Sequence, residues 1–286
     1  MRAHPSQLES ILALWESDTG LLESDNFARR VAIQDDLDRL FPDEPLYPDS
    51  SHNLINRARA LHLNLESANT ELFASIRRQI QTGTCPSEFS SILHTLTIPP
   101  RGLAYDYLDD LISGVLQFQP PTEPLPAFHS ESVFYQPTPA RHIFHLISSA
   151  AITKADTLID LGSGLGHVPL LASICTGASS IGIELDPTWI ASAAQCANTL
   201  NLRNVTFLAQ DARQADLSRG TVFYLYTPFT GSTLQSVLNL LRTEASRRPI
   251  RIGTFGPCTL VLCEEAWLKP LTPPAADQIT IFVPCT

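Results

Sequence analysis

Hydrophobic positions in the first third of the chain recur at helical spacing: Leu8, Ile11, Leu12, Leu14 and Trp15, then Leu54, Ile55, Ala58, Leu61 and Leu63, then Leu72, Phe73, Ile76 and Ile80. Apolar residues three or four apart share one helical face, so several amphipathic helices packed as a bundle are expected. Asp43-Glu44-Pro45, Pro48-Asp49, Thr82-Gly83 and Pro99-Pro100 supply the stops. Tyr105, Leu108, Leu111, Ile112, Val115 and Leu116 predict a further helix. The proline-rich run from Gln119 to Pro126 is stiff and incompatible with helix, which places a linker at 119–132 between a helical domain, 1–118, and a second domain, 133–286.

Beyond the linker the period changes. Apolar runs near 157–161, 180–184, 204–208, 221–226, 250–255 and 278–283 alternate with helical patterns near 138–150, 167–176, 187–200 and 231–246. That alternation predicts an α/β fold, a doubly wound parallel sheet with helices on both faces. Residues 259–263, Thr-Leu-Val-Leu-Cys, are expected either to supply a seventh strand or to extend the fifth after a bend at Gly256-Pro257.

Composition narrows the class. A chain of 286 residues, 44% hydrophobic, can build a real core. Met1 to Ser10 lacks a basic segment followed by an apolar one, and no run of about 18 uncharged apolar residues occurs, so a soluble, cytoplasmic protein without a membrane role is expected. Six cysteines (Cys85, Cys175, Cys196, Cys258, Cys263, Cys285) lack metal-ligand spacing, which predicts reduced thiols and no metal. Residues 1–126 carry 18 acidic residues against 9 arginines and no lysine, a net of −9, whereas 127–286 carry 11 acids against 10 bases. Such a field repels nucleic acid and attracts a cationic partner, although an acidic surface also serves solubility alone.

The candidate chemistry lies at Thr157 to Gly166, where an apolar strand ending at Asp160 and Leu161 runs into Gly162-Ser163-Gly164-Leu165-Gly166. A second apolar run ends on Glu184. A carboxylate at that strand end suits a ribose diol, because it accepts hydrogen bonds from two hydroxyls. A dinucleotide fingerprint would need glycine at 167, where His167 stands, and a P-loop would need Gly-Lys-Ser/Thr. Phosphate cradling is thereby disfavoured.

The D-x-G-x-G-x-G pattern from Asp160 to Gly166, with Glu184, resembles the class I, seven-strand S-adenosylmethionine-dependent methyltransferases. The segment Asn204 to Ala212 resembles that family's third-strand motif, and Phe134-Tyr135-Gln136-Pro137-Thr138-Pro139 resembles the loop over the methionine end of the cofactor in seven-strand lysine methyltransferases of the disruptor-of-telomeric-silencing and mitochondrial types. The lysine-enzyme resemblance covers roughly 133–255. It implies a last strand inserted antiparallel near Gln278 to Val283, and a cofactor, S-adenosyl-L-methionine, leaving as S-adenosyl-L-homocysteine. The implied cofactor residues are Tyr135, Thr138, Asp160, Gly162, Ser163, Gly164, Gly166, Glu184, Leu185, Asp211, Ala212 and Tyr226, with Tyr135 and Tyr226 lining the reacting centre.

The fourth strand ends in Tyr226-Thr227-Pro228-Phe229, which departs from the Asn or small apolar residue of those lysine enzymes. Only its proline and aromatic match the D/N/S-P-P-Y/F motif of nucleic-acid amino-methylating enzymes. Methyl transfer to an amine, with a protein lysine as the candidate acceptor, is the leading expectation. A small-molecule methyltransferase with the N-terminal helices as a lid, as in bacterial natural-product enzymes, stays open, as does a non-catalytic cofactor-binding subunit. His167 reads as a helix-start residue, and His142 and His145 as surface or packing residues.

Overall fold

Leu12, Leu21, Ile33, Leu37, Ala58, Leu61 and Leu65 form one buried cluster in the N-terminal part of the chain. They lie on α1 (Pro5–Ser17), a short helical turn, α2 (Phe27–Leu40) and α3 (His52–Gln81) in this computed structural model, which describes residues 5–42, 52–96, 98–119 and 136–285. The two apolar segments expected as separate helices on either side of residue 68 are one helix, α3, since no Pro or Gly interrupts 64–71. Leu14 and Leu63, expected on apolar faces, are exposed, and Leu65 takes the core position instead. Helix α2 had no clear apolar signature, because the core-facing positions Phe27, Ile33 and Leu37 are joined by a fully buried Arg30. Arg30 is accommodated by carbonyls and an amide: Nε donates to Asn69 Oδ1 at 2.6 Å and Nη1 to Leu21 O at 2.8 Å and to Glu23 O. A buried guanidinium requires such partners.

The chain divides into two compact units, Met1–Ile76 and Arg77–Thr286. Helices α4 (Ser87–Thr95) and α5 (Tyr107–Leu116) thus belong to the unit that holds the sheet, and both pack on α6 (Ala140–Ser149). Most of the expected linker, residues 120–132, lies outside the described residues.

After α6 the elements alternate: β1 (Thr157–Leu161), α7 (His167–Thr176), β2 (Ser179–Glu184), α8 (Pro187–Thr199), β3 (Val205–Ala209), β4 (Val222–Tyr226), α9 (Gly231–Ala245), β5 (Arg251–Phe255), α10 (Cys258–Cys263), β6 (Leu268–Pro270) and β7 (Thr280–Pro284). Among the described residues the strands form one seven-stranded sheet in the order β3-β2-β1-β4-β5-β7-β6. β7 enters antiparallel between β5 and β6, as the C-terminal strand was expected to do. Ile159, Leu161, Phe223, Leu225, Ile252 and Phe282 carry the core on one face of the sheet, where α9 adds Leu234, Val237, Leu238 and Leu241.

Residues 259–263 are not a strand. Gly256 turns the chain at φ +82°, and Cys258, Thr259 and Leu262 are buried while Leu260 and Val261 are exposed, which is a helical repeat. The seventh strand is β6, three residues at the sheet edge ending in proline, too short to show alternation. No described helix is long and apolar enough to cross a membrane.

Candidate active site

The strand order reverses between β1 and β4, so the loops after their carboxyl ends face one crevice. Gly162 at φ +86°, Gly164 at +51° and Gly166 at +82° carry the chain out of β1 and into α7. Side chains could not occupy two of these positions. A Cβ on Gly162 would lie 2.2 Å from Pro228 Cβ, and one on Gly166 would lie 2.4 Å from Phe207 Cε1. Pro228, from the departing segment of β4, therefore packs directly on the glycine loop.

Glu184 ends β2 and organises the loop electrostatically. Its carboxylate accepts the N–H of Gly164 at 3.0 Å, of Leu185 at 2.7 Å and of Asp186 at 3.2 Å. A carboxylate offers about four lone-pair directions, so an acceptor direction remains for a ligand hydroxyl. The Glu184 carbonyl accepts the Gln210 N–H at 2.9 Å, tying the end of β2 to the turn that holds Asp211 and Ala212. Asp211 itself caps that turn through Arg213 N at 2.9 Å and is ion-paired with the Arg213 guanidinium at 2.6 Å. Ala212 is buried, whereas Leu185 is exposed.

Asp160 is buried at the end of β1, and this desolvation, with the Glu184 charge second, holds its pKa well above the ordinary carboxylate range. In the β1–β4 register its partner is Tyr224. The Tyr224 hydroxyl lies 3.0 Å from Thr138 Oγ1, both buried, which pins the segment before α6 to the floor of the crevice. The sequence did not reveal the Tyr224 contact with the candidate residue Thr138: Tyr224 stood in the apolar run of β4, and its partner lies 86 positions away. Tyr105 reinforces the same segment, its hydroxyl donating to Pro137 O at 2.8 Å. The start of α6 is held by Asp109, whose carboxylate accepts Ala140 N–H at 2.8 Å.

Tyr226, two residues on from Tyr224, is half-buried against Phe255, ring centroids 4.7 Å apart. Burial, with Tyr105 nearby, raises its phenol to about 12. Thr227 takes φ +40° and is held by two hydrogen bonds, to Phe255 O at 3.1 Å and from Cys258 N at 3.0 Å. The departure from the lysine-enzyme motif at this position therefore serves the backbone turn. Phe229 lies in the hydrophobic core and so does not offer a face for stacking a base.

Two histidines near the crevice, His142 buried and His167 half-buried, hold structure. His167 opens α7 and packs on Phe118 at 4.7 Å, and burial lowers it to about 4. His142 is fully buried, its Nε2 donating to Gly102 O at 2.8 Å, and is a packing residue lowered to about 4 by burial. Tyr135, expected at the reacting centre, lies outside the described residues.

The predicted residues Asp160, Gly162, Ser163, Gly164, Gly166, Glu184 and Leu185 thus meet at one crevice, and Thr138 joins through Tyr224. An adenosyl group fits them: the loop excludes side chains, a carboxylate is pre-oriented, and the buried Ser163 hydroxyl has no partner among the described residues.

A family model described as histone methylation protein DOT1 matches residues 125–223. Among solved structures, an RNA methyltransferase from Salinibacter ruber in complex with S-adenosyl-L-homocysteine is 25% identical, with 52% of this chain and 92% of that one covered at a TM-score of 0.41. Precorrin-6y C5,15-methyltransferase from Geobacter metallireducens is 14% identical, with coverages of 56% and 93% and a TM-score of 0.41. An S-adenosylmethionine-dependent O-methyltransferase from Thermotoga maritima is 14% identical, with coverages of 54% and 68% and a TM-score of 0.42. No curated protein matches the chain. The sheet order, the glycine loop and the family match make this chain a class I, S-adenosylmethionine-dependent methyltransferase.

Proposed function

We propose that the enzyme methylates an amine of a polypeptide, a lysine side chain within a basic segment. The match of residues 125–223 to a histone-methylation family model carries the reading. Two further observations support it. Residues 1–126 hold 18 acids against 9 bases, which suits a cationic substrate, and the burial of Phe229 in the core argues against base stacking.

In this reading Glu184 receives the ribose hydroxyls, the Gly162 to Gly166 backbone lies against the adenosine, and Leu185, Asp211 and Ala212 border the adenine. Ser163, Asp160 and Thr138 face the amino-acid end. S-adenosylmethionine supplies a methyl group already activated by its sulfonium, so the protein need only align a neutral amine in line and exclude water. Tyr226 is suited to that alignment. With a phenol pKa near 12 it stays protonated at neutral pH and acts as a hydrogen-bonding group rather than a base. Tyr135 is the second proposed lining residue.

A small-molecule acceptor is the second reading, favoured by the exposed apolar side chains of Leu103, Tyr105 and Tyr107 in the stretch that Tyr105 anchors to Pro137. Lysine blocking separates the two. Host extract whose protein amines have been exhaustively acetylated should lose its capacity to accept labelled methyl groups; undiminished transfer would overturn the lysine assignment.

A further inference from the structure

The stretch leading into α5 is tied to the start of α6 and to the loop between β6 and β7. Gly102 anchors it twice: its N–H donates to Asp277 O at 2.9 Å, and its carbonyl accepts from His142 Nε2 at 2.8 Å. Arg141 Nη1 pairs with the Asp106 carboxylate at 3.1 Å. The Asp109 carboxylate accepts the Asp106 N–H and the Ala140 N–H, each at 2.8 Å, so one side chain caps the starts of α5 and α6 together. Within this anchored stretch Tyr105 is exposed, yet its hydroxyl donates to Pro137 O at 2.8 Å.

We propose that Tyr105 is a positioning residue for the cofactor: it fixes the backbone at Pro137 and, through it, Thr138 at the amino-acid end of the site. The inference rests on the reading that Thr138 faces that end of S-adenosylmethionine. Two hydrogen bonds from two different elements hold neighbouring residues. Thr138 Oγ1 meets the Tyr224 hydroxyl of β4 at 3.0 Å, and Pro137 O is held by Tyr105 from the stretch before α5. Proline has no N–H, so its carbonyl is the one backbone group through which Pro137 can be hydrogen-bonded in place.

The exposure of Tyr105 separates this role from a purely structural one. A tyrosine with 46% of its surface exposed can donate to water instead, so its bond to Pro137 contributes little to folding. Its effect falls on where the Pro137 carbonyl, and with it the next residue, stands. Tyr105 and Asp109 both precede residues 125–223, the stretch matched by the family model. The part of the chain before that match thus supplies support for the cofactor site that the matched stretch does not contain.

The test compares Tyr105→Phe, Thr138→Val and the double variant of the full chain, reading S-adenosyl-L-homocysteine affinity by calorimetry and melting without ligand. Tyr105→Phe removes only the hydroxyl. It should weaken S-adenosyl-L-homocysteine about 2–10-fold, the equivalent of one ordinary hydrogen bond, with the ligand-free melting point unmoved. With host extract as acceptor, the KM for S-adenosylmethionine should rise by a larger factor than kcat falls. Because the two hydroxyls hold adjacent residues, the double variant should weaken binding by clearly less than the product of the two single factors. Full affinity in Thr138→Val would strike the cofactor reading of this segment and the proposal with it. Weakened binding in Thr138→Val beside full affinity in Tyr105→Phe would overturn the proposal alone, as would a Tyr105→Phe variant that melts lower in proportion to its loss of affinity.

Discussion

The Gly164 N–H and the Glu184 carboxylate meet at 3.0 Å, and this contact joins the loop after β1 to the end of β2. One side chain thereby shapes the loop and, in the proposed cofactor arrangement, presents the acceptor for the ribose hydroxyls. Glu184→Ala removes three charge-assisted hydrogen bonds to the backbone together with the proposed ribose contact. At about 1.5–3 kcal/mol for a bond to a charged group, the affinity for S-adenosyl-L-homocysteine should fall about 10–100-fold by calorimetry. Unchanged affinity would remove Glu184 from the cofactor site.

Asp160 carries a burial cost in the ligand-free enzyme. Its pKa is raised in the folded state, so its contribution to stability is complete below the unfolded carboxylate range and is lost as the pH rises through the folded value. Asp160→Asn escapes that loss. The variant should melt higher than wild type at neutral pH by a few degrees, roughly what 1–2 kcal/mol gives a domain of this size, and the gap should close towards pH 4. It should also bind the cofactor more weakly. A melting difference that is constant with pH would refute the electrostatic origin.

Much of this site was legible from residue order alone. Gly162, Gly164 and Gly166 announce positive φ at fixed offsets from a buried strand, and Glu184 closes the next strand where a diol acceptor belongs. The rest was hidden for identifiable reasons. Tyr224 looks like any aromatic of a buried strand, and its hydrogen bond to Thr138 joins positions that no local pattern connects. Arg30 interrupts the apolar face of α2, because a guanidinium counts as polar in any periodicity even where carbonyls hold it in the core. The run at 259–263 has strand-like composition, yet its burial follows a helical repeat set by the turn at Gly256.

The Tyr224–Thr138 pair predicts a coupled phenotype. Tyr224→Phe leaves a buried Thr138 hydroxyl without its partner, costing about 1–3 kcal/mol in urea unfolding, and Thr138→Val does the same to the phenol. The double variant should lose clearly less than the sum of the two, with a coupling energy of about 0.5–3 kcal/mol. Strict additivity would show that the two hydroxyls do not interact.

Two glycines with nearly the same backbone separate steric from conformational cost. Gly162 at φ +86° faces Pro228, whereas a methyl group added to Gly83, at φ +79°, would meet nothing within 4 Å. Gly83→Ala should cost about 1 kcal/mol from backbone strain alone. Gly162→Ala adds a 2.2 Å clash and should cost about 1–3 kcal/mol more, with loss of methyl transfer. Similar melting points for the two variants would mean that Pro228 yields.

In the N-terminal unit, Arg30→Ala strips partners from Leu21 O, Glu23 O and Asn69. Destabilisation of about 1–3 kcal/mol from the buried acceptors left unsatisfied is expected in urea unfolding followed by circular dichroism. Arg30→Lys should recover little, because an ammonium cannot reproduce the guanidinium fork. Full recovery by lysine would show that charge alone is required.

The acceptor is reached most directly by supplying the purified enzyme with methyl-labelled S-adenosylmethionine and native host extract, then separating protein, nucleic acid and small molecules. Label should appear in protein and, after acid hydrolysis, co-migrate with methylated lysine. Label confined to nucleic acid or to small molecules would contradict the assignment of this enzyme to polypeptide amines.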